Sequence, residues 1–170
     1  MHFNEFVRDI VDFPKPGITF KDITPLLQDP KALQQAAEAL YVLVNERPID
    51  KVVGVDSRGF IFAPILAMKL NAGFVPVRKA GKLPFRTVAE PYQLEYGQDI
   101  LEIHTDAILK GEKVLVHDDV LATGGTCKAV CKLVEQLGGE VVQCNFLVNL
   151  TFLKGAAQLP NYTITSLLSY

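Results

Sequence analysis

Short apolar runs alternate along this chain with stretches of helical spacing, and that alternation sets the fold class. Lys51–Val55, Phe74–Val77, Val114–Val116, Val141–Leu150 and Tyr162–Leu168 read as strands bounded by turn residues. Between them lie helix patterns. Asp29 is a good N-cap and Pro30 a good first-turn residue, and Leu33, Ala36, Ala37, Leu40, Leu43 and Val44 then share one face up to Asn45. Gly59–Leu70 is apolar almost throughout, with Pro64 either kinking it or lying in its first turn. Cys127, Val130, Cys131, Val134 and Leu137 line a face that stops at Gly138-Gly139, and Phe152–Leu159 is a short helix. Such a succession predicts an α/β fold, with a mainly parallel central sheet flanked by helices. In such sheets ligands sit beyond the carboxyl ends of the strands, so those segments hold the candidate chemistry.

Two regions stand apart. Phe3–Val11 puts Phe3, Phe6, Val7, Ile10 and Val11 on one helical face, stopped by Pro14-Lys15-Pro16-Gly17. Ala80–Pro91 has a glycine, two prolines, mixed charge and no period. A loop of that length in a small domain is usually a lid or a binding loop. Tyr92–Ile103 alternates loosely and reads as a β-ribbon flanking it.

At 170 residues the chain predicts a single domain with its own core. Lys plus Arg number 17 and Asp plus Glu 19, a net charge of −2, which argues against a dedicated nucleic-acid binder. The longest apolar stretch, Phe60–Met68, is far short of the roughly 20 residues a membrane span requires. The first residues, Met1-His2-Phe3-Asn4-Glu5, do not resemble a signal peptide. Three cysteines, an odd number, predict reduced buried thiols in a cytoplasmic protein, neither a disulfide framework nor a zinc site.

The most informative segment is Val114-Leu115-Val116-His117-Asp118-Asp119-Val120-Leu121-Ala122-Thr123-Gly124-Gly125-Thr126. A buried strand runs into two adjacent carboxylates, then into a loop of small and hydroxyl residues that opens a helix. Glycines let backbone N–H groups approach a phosphate, threonines add donors, and the helix N-terminus favours negative charge. No Lys follows the second glycine, so this is not the common nucleotide-binding loop, and no Gly-x-Gly-x-x-Gly is present. The carboxylates repel phosphate; they suit the vicinal hydroxyls of a ribose, or a metal.

Asp118–Thr126 resembles the phosphoribosyl-diphosphate motif of type I phosphoribosyltransferases. Three further segments keep the family's order: Asp56-Ser57-Arg58-Gly59-Phe60, Arg78-Lys79-Ala80-Gly81-Lys82-Leu83-Pro84, and Leu94-Glu95-Tyr96-Gly97. With Asp12–Ile18, Phe20–Ile23, Leu153-Lys154-Gly155 and Ser166-Leu167-Leu168, the likeness covers nearly the whole chain and points to the adenine-specific branch. The departures are His117 for a small apolar residue, Phe85 for a common Gly, and Lys21 for a common Arg.

The resemblance implies a type I core with a flexible β-ribbon lid, about residues 80–96, and a small N-terminal hood, about residues 1–28. It implies transfer of the 5-phosphoribosyl group from phosphoribosyl diphosphate to adenine, giving AMP and diphosphate. Asp118 and Asp119 would hold the ribose hydroxyls, and Ala122, Thr123, Gly124, Gly125 and Thr126 the 5′-phosphate. Asp56, Ser57, Arg58, Arg78, Lys79 and Lys82 would serve the diphosphate, with a non-proline cis peptide at Asp56-Ser57. Thr19, Phe20 and Lys21 would read adenine, Glu95 would hold or donate a proton at purine N7, and Tyr96 would belong to the lid. Mg²⁺ would be bound mainly through substrate oxygens, without a dedicated protein cage, and the chain would form a homodimer. The alternatives are a phosphoribosyltransferase for another purine base and a non-catalytic regulator that binds a purine or phosphoribosyl diphosphate.

Overall fold

The computed structural model describes residues 1–93 and 98–170. The chain divides into two compact units, Met1–Ala39 and Leu40–Tyr170.

In the first unit, a 3-10 turn at Phe3–Phe6 precedes a two-stranded antiparallel hairpin, β1 (Arg8–Val11) and β2 (Thr19–Asp22), with Ile10 opposite Phe20. The helical face expected over Phe3–Val11 is therefore half strand. The segment is too short for its period to separate helix from strand, and β-branched Ile10 and Val11 favour the extended pairing with β2. The turn between the strands places Asp12 at φ 59° and Gly17 at φ 86°, and the Gly17 N–H donates to Asp12 Oδ1 at 2.6 Å. The Phe13 and Phe20 rings meet edge to face, 5.4 Å between centroids. Short helix α1 (Thr24–Gln28) starts beside Asp22, which accepts from the Thr24 N–H at 3.0 Å. Helix α2 (Pro30–Val42) begins as its sequence requires, with Asp29 Oδ1 accepting from the Ala32 N–H at 2.7 Å. It ends before Asn45, where Asn45 and Glu46 take positive φ.

The second unit is built on a seven-stranded sheet. Its strands are β3 (Lys51–Val55), β4 (Gly73–Lys79), β5 (Thr87–Gln93), β6 (Gln98–His104), β7 (Lys113–Leu121), β8 (Glu140–Asn149) and β9 (Ile164–Ser169). The order is β5-β6-β4-β3-β7-β8-β9, parallel from β4 to β9, with β6 and β5 antiparallel at one edge. Every residue of β3 after Lys51 is buried, which is why it reads as a continuous apolar run. Helices α3 (Ala63–Leu70) and α4 (Gly125–Gln136) flank the sheet, α3 against β3 and β4, α4 against β5 to β8. Pro64 lies in the first turn of α3, where its missing N–H costs nothing.

Pro76 is tolerated inside β4 for a geometric reason. Gly73 N–H and Val77 C=O both bond the β3 side, so alternation turns residue 76 the other way. On that side β6 pairs only from Arg78 onward, and no donor is needed at Pro76.

Three expectations are corrected. Residues 87–91, expected as loop, belong to a strand: β5 and β6 pair continuously from Thr87↔His104 to Gln93↔Gln98. The pattern is hidden because the inner position 90 is a glutamate. Its carboxylate accepts from Lys132 Nζ at 2.6 Å and Gln136 Nε2 at 3.1 Å, which ties the ribbon to α4. Pro91 is allowed because β5 is an edge strand. β7 also runs five residues beyond Val116, carrying the polar His117-Asp118-Asp119 within the ladder to β8. Phe152–Leu159 forms two 3-10 turns, Thr151–Leu153 and Gly155–Gln158, instead of one helix, because Lys154 turns left-handed at φ 54°.

Candidate active site

A cleft of about 240 Å³ opens at the carboxyl ends of β3, β4 and β7. The turn after β3 supplies Val55, Asp56, Ser57 and Arg58; β7 supplies Asp118 and Asp119; Thr126 comes from the first turn of α4. Lys79 closes the β4 side, and the ribbon contributes Tyr92 and Leu101. A smaller cavity of about 60 Å³ is lined by Ala122, Thr123, Gly124 and Cys127, among others, and shares Asp118 and Thr126 with the first.

The turn after β3 is pressed onto β7. A Cβ on Gly59 would stand 3.0 Å from both Asp118 Oδ1 and the His117 carbonyl oxygen, so that position admits only glycine without displacement. This approach brings Arg58 Nε to 3.1 Å from Asp119 Oδ2. The Asp56-Ser57 peptide is cis, as the resemblance implies. The Asp56 carboxylate faces the basic segment. It accepts from Arg78 Nε at 3.0 Å and lies 3.4 Å from Lys82 Nζ, and so holds two cations of the basic segment beside the cleft. Burial opposes its ionisation, but the hydrogen bonds and charges of Arg78 and Lys82 outweigh this and keep its carboxyl below the usual value.

The acidic pair behaves oppositely. Burial above all, with the Asp119 charge added, pushes the Asp118 carboxyl well up. Burial also raises Asp119, although the Arg58 guanidinium offsets part of it. Asp118 Oδ1 accepts from the Asp119 N–H at 2.9 Å. Asp119 is 3% exposed, and its Oδ2, for all its ion pair with Arg58, accepts no hydrogen bond among the described residues. A buried acceptor in the wall of a cleft, lacking a donor, is a place for a ligand hydroxyl.

The loop after β7 is shaped by contact with the 3-10 turns at residues 151–158. Gly124 has φ 87°, and a Cβ there would meet the Gly155 carbonyl oxygen at 2.5 Å. A Cβ on Gly155 would stand 2.2 Å from the Ala122 carbonyl oxygen. Two backbones thus pack with no side chain between them, leaving Ala122, Thr123, Gly124 and Thr126 to line the small cavity at the head of α4. Gly155 is a structural determinant that spacing did not reveal; the only trace was Leu153-Lys154-Gly155 within the resemblance.

His117 points into the core: it is fully buried, its Nδ1 lies 3.0 Å from Asn145 Oδ1, and its ring packs edge-on to Phe62. Desolvation lowers its pKa to about 4, so it is neutral at physiological pH. His104 and Phe85, two surface residues of the ribbon and the loop before it, pack edge to face at 6.1 Å. Leu101 and Asp99 carry no site signal in the sequence, whereas Tyr92 opens the segment that runs to Gly97. Tyr92 is the cross-strand partner of Asp99, and Asp99 Oδ2 holds Lys79 Nζ at 2.8 Å. The β5–β6 register brings Tyr92 and Leu101 to the cleft, and Asp99 reaches it through Lys79. Thr19, Phe20 and Lys21 lie on β2 of the first unit, with Lys21 Nζ 2.6 Å from Asp9 Oδ1. Glu95 and Tyr96 lie outside the described residues.

Residues 22–166 match the phosphoribosyl transferase domain family. The chain is 62% identical over 170 residues to the adenine phosphoribosyltransferase of Christiangramia forsetii, covering 100% of this chain and 99% of that protein. The crystal structure of adenine phosphoribosyltransferase from Thermoanaerobacter pseudethanolicus superposes with a TM-score of 0.96 at 50% identity, covering 99% of this chain and 98% of that one. The enzyme from Saccharomyces cerevisiae, complexed with D-2,5-dideoxy-2,5-imino-altritol 1,6-bisphosphate and adenine, superposes with a TM-score of 0.92 at 42% identity, covering 98% and 96%. A family match over most of the chain and a likeness that spans nearly its full length show that the chain belongs to the phosphoribosyltransferase family.

Proposed function

We propose that this protein transfers the 5-phosphoribosyl group from phosphoribosyl diphosphate to adenine, releasing diphosphate and forming AMP. One observation carries the site assignment: the acidic pair and the loop after β7 share walls, because Asp118 and Thr126 line both cavities. That arrangement supports a sugar held between hydroxyl acceptors on one side and phosphate donors on the other. Adenine N9 attacks C1′ as the C1′–oxygen bond to diphosphate breaks and the imidazole proton of the base is given up, with positive charge developing on the sugar and negative charge on the leaving group. Asp118 and Asp119 orient the ribose through its hydroxyls and favour the cationic sugar. Arg58, Lys79, and the Arg78 and Lys82 held by Asp56 favour the departing diphosphate, and Ser57 adds a hydroxyl beside it. Thr19, Phe20 and Lys21 are the adenine-reading segment by resemblance, and the adenine bound in the yeast relative supports the choice of base.

Mg²⁺ is a hard ion that takes oxygen ligands and keeps its waters. Among the described residues the one cluster of three ligand atoms is sulfur, which does not suit it. The cleft offers two adjacent carboxylates beside cations, a donor set that fits an ion held chiefly by substrate oxygens. When bound it neutralises charge on the diphosphate. A homodimer is part of this reading, and so is a cytoplasmic setting, which three free cysteines support. Among the described residues no helix is long and apolar enough to cross a membrane.

The reading is tested by incubating the protein with labelled adenine, phosphoribosyl diphosphate and Mg²⁺. AMP is expected, with little product when Mg²⁺ is omitted; faster turnover of hypoxanthine than adenine would overturn the base assignment. In the same assay Glu95→Gln is expected to lower kcat by about 10²-fold while AMP affinity changes little, as for loss of acid–base help. An unchanged kcat would remove Glu95 from the mechanism.

A further inference from the structure

Cys127 and Cys131 lie one turn apart on the inner face of α4, and Cys144 faces them from β8. All three are buried and free. Their sulfur atoms lie within 4.8 Å of one another, and Cys131 Sγ stands 3.6 Å from Cys144 Sγ. The reaction described above uses none of them.

The triangle has the dimensions of a three-coordinate site. A trivalent centre with a lone pair is pyramidal, so when bonded to three sulfurs at about 2.3 Å, near the length of a zinc–thiolate bond, it spaces those sulfurs about 3.5 Å apart. The 3.6 Å between Cys131 Sγ and Cys144 Sγ matches that spacing, and Cys127 Sγ lies within 4.8 Å of both. No carboxylate or imidazole joins the cluster among the described residues, so a tetrahedral ion would lack its fourth ligand. Burial adds a charge condition. Three thiolates around a monovalent or divalent ion leave net negative charge in an apolar core, whereas a trivalent centre makes the complex neutral. Sulfur ligands select soft partners.

We propose that Cys127, Cys131 and Cys144 form a binding site for a thiophilic trivalent metalloid of the arsenite class. The step is a condensation: As(OH)₃ and three thiols give As(S-Cys)₃ and three waters. Each thiol proton leaves on a hydroxide, three arsenic–oxygen bonds are replaced by three arsenic–sulfur bonds, and no redox partner is required. The incoming species is neutral, so no bare ion has to be desolvated on the way in.

A route in is visible, because Cys127 lines the small cavity that opens beside Ala122–Gly124. The same placement couples the site to the loop. Cys127 follows directly on Thr126, so drawing its sulfur toward Cys144 moves the first turn of α4, and loading weakens binding of a 5′-phosphate. This coupling rests on the reading of that loop as a phosphate cradle; the three-thiol site itself does not.

The test is native mass spectrometry of the reduced full chain with arsenite. One adduct per chain is expected, carrying one arsenic, lacking three hydrogens and retaining no hydroxyl. An adduct that keeps a hydroxyl marks capture by two thiols only and overturns the three-coordinate site, as does the absence of any adduct. Cys144→Ala and, separately, Cys131→Ala are expected to weaken arsenite binding by at least about tenfold. The wild-type mass decides the question even if a variant fails to fold. Loading is further expected to weaken AMP binding, measured calorimetrically, by about tenfold. Arsenic bound with AMP affinity unchanged overturns the coupling, whereas failure of the unloaded protein to bind AMP counts against the proposed function and leaves the mass result standing.

Discussion

Replacing Asp118 and Asp119 together by Asn lowers kcat/KM by about 10²–10⁴-fold, because each charge-assisted hydrogen bond to a ribose hydroxyl contributes about 1.5–3 kcal/mol. The same change stabilises the free protein at neutral pH. Both carboxyls are raised above the ordinary aspartate value of 3.8, chiefly by burial. Between 3.8 and the raised values the folded protein binds more protons than the unfolded chain, so stability falls as pH climbs through that window. Asn carries no charge and escapes the penalty. Arg58, the partner left behind, has a side chain 42% exposed and is readily hydrated. Thermal unfolding should therefore show the double variant melting above the wild type at pH 8, with the gap closing as pH approaches 4. A variant that is both inactive and less stable at pH 8 would mean that the pair supports the fold instead of straining it.

Gly155→Ala is expected to act on the phosphate loop from outside the cleft. The added methyl would stand 2.2 Å from the Ala122 carbonyl oxygen, a backbone atom that cannot rotate away, and the Gly124 amide nitrogen is 3.1 Å off. Either the 3-10 turns shift or the loop does. Overpacking of this kind costs about 1–3 kcal/mol, which denaturant unfolding would register. The clash falls on the carbonyl of a loop residue that lines the small cavity, so AMP binding should weaken by tenfold or more even at temperatures where the variant is fully folded. Gly81→Ala is the control: a Cβ there meets nothing within 4 Å, although its φ of 78° still brings local strain. If Gly155→Ala binds AMP as the wild type does, the two segments yield without consequence and the buttress has no role.

These two positions differ in how far the sequence discloses them. Asp118 and Asp119 are conspicuous because two carboxylates at the end of an apolar run contradict burial and so call for a ligand. Gly155 shows nothing locally, since its constraint is a carbonyl more than thirty residues earlier. The basic segment lies between. Its charge is plain in Arg78-Lys79-Ala80-Gly81-Lys82, but its division between Asp56, for Arg78 and Lys82, and Asp99, for Lys79, follows from strand pairing.

The alternation of strand and helix, the parallel core, the acidic pair and the glycine loop are all written in local sequence. Each depends on a local rule: the period of apolar residues, a cap, or the backbone freedom of glycine at a turn. Tertiary structure alone decided that β7 continues through His117-Asp118-Asp119, that residues 87–93 pair as an edge strand with Glu90 turned inward onto α4, and that three cysteines from a helix and a strand converge. Those outcomes depend on which partner a distant segment presents. A polar residue joins a buried ladder when its neighbours supply the hydrogen bonds and the burial, and no window of local sequence contains those neighbours.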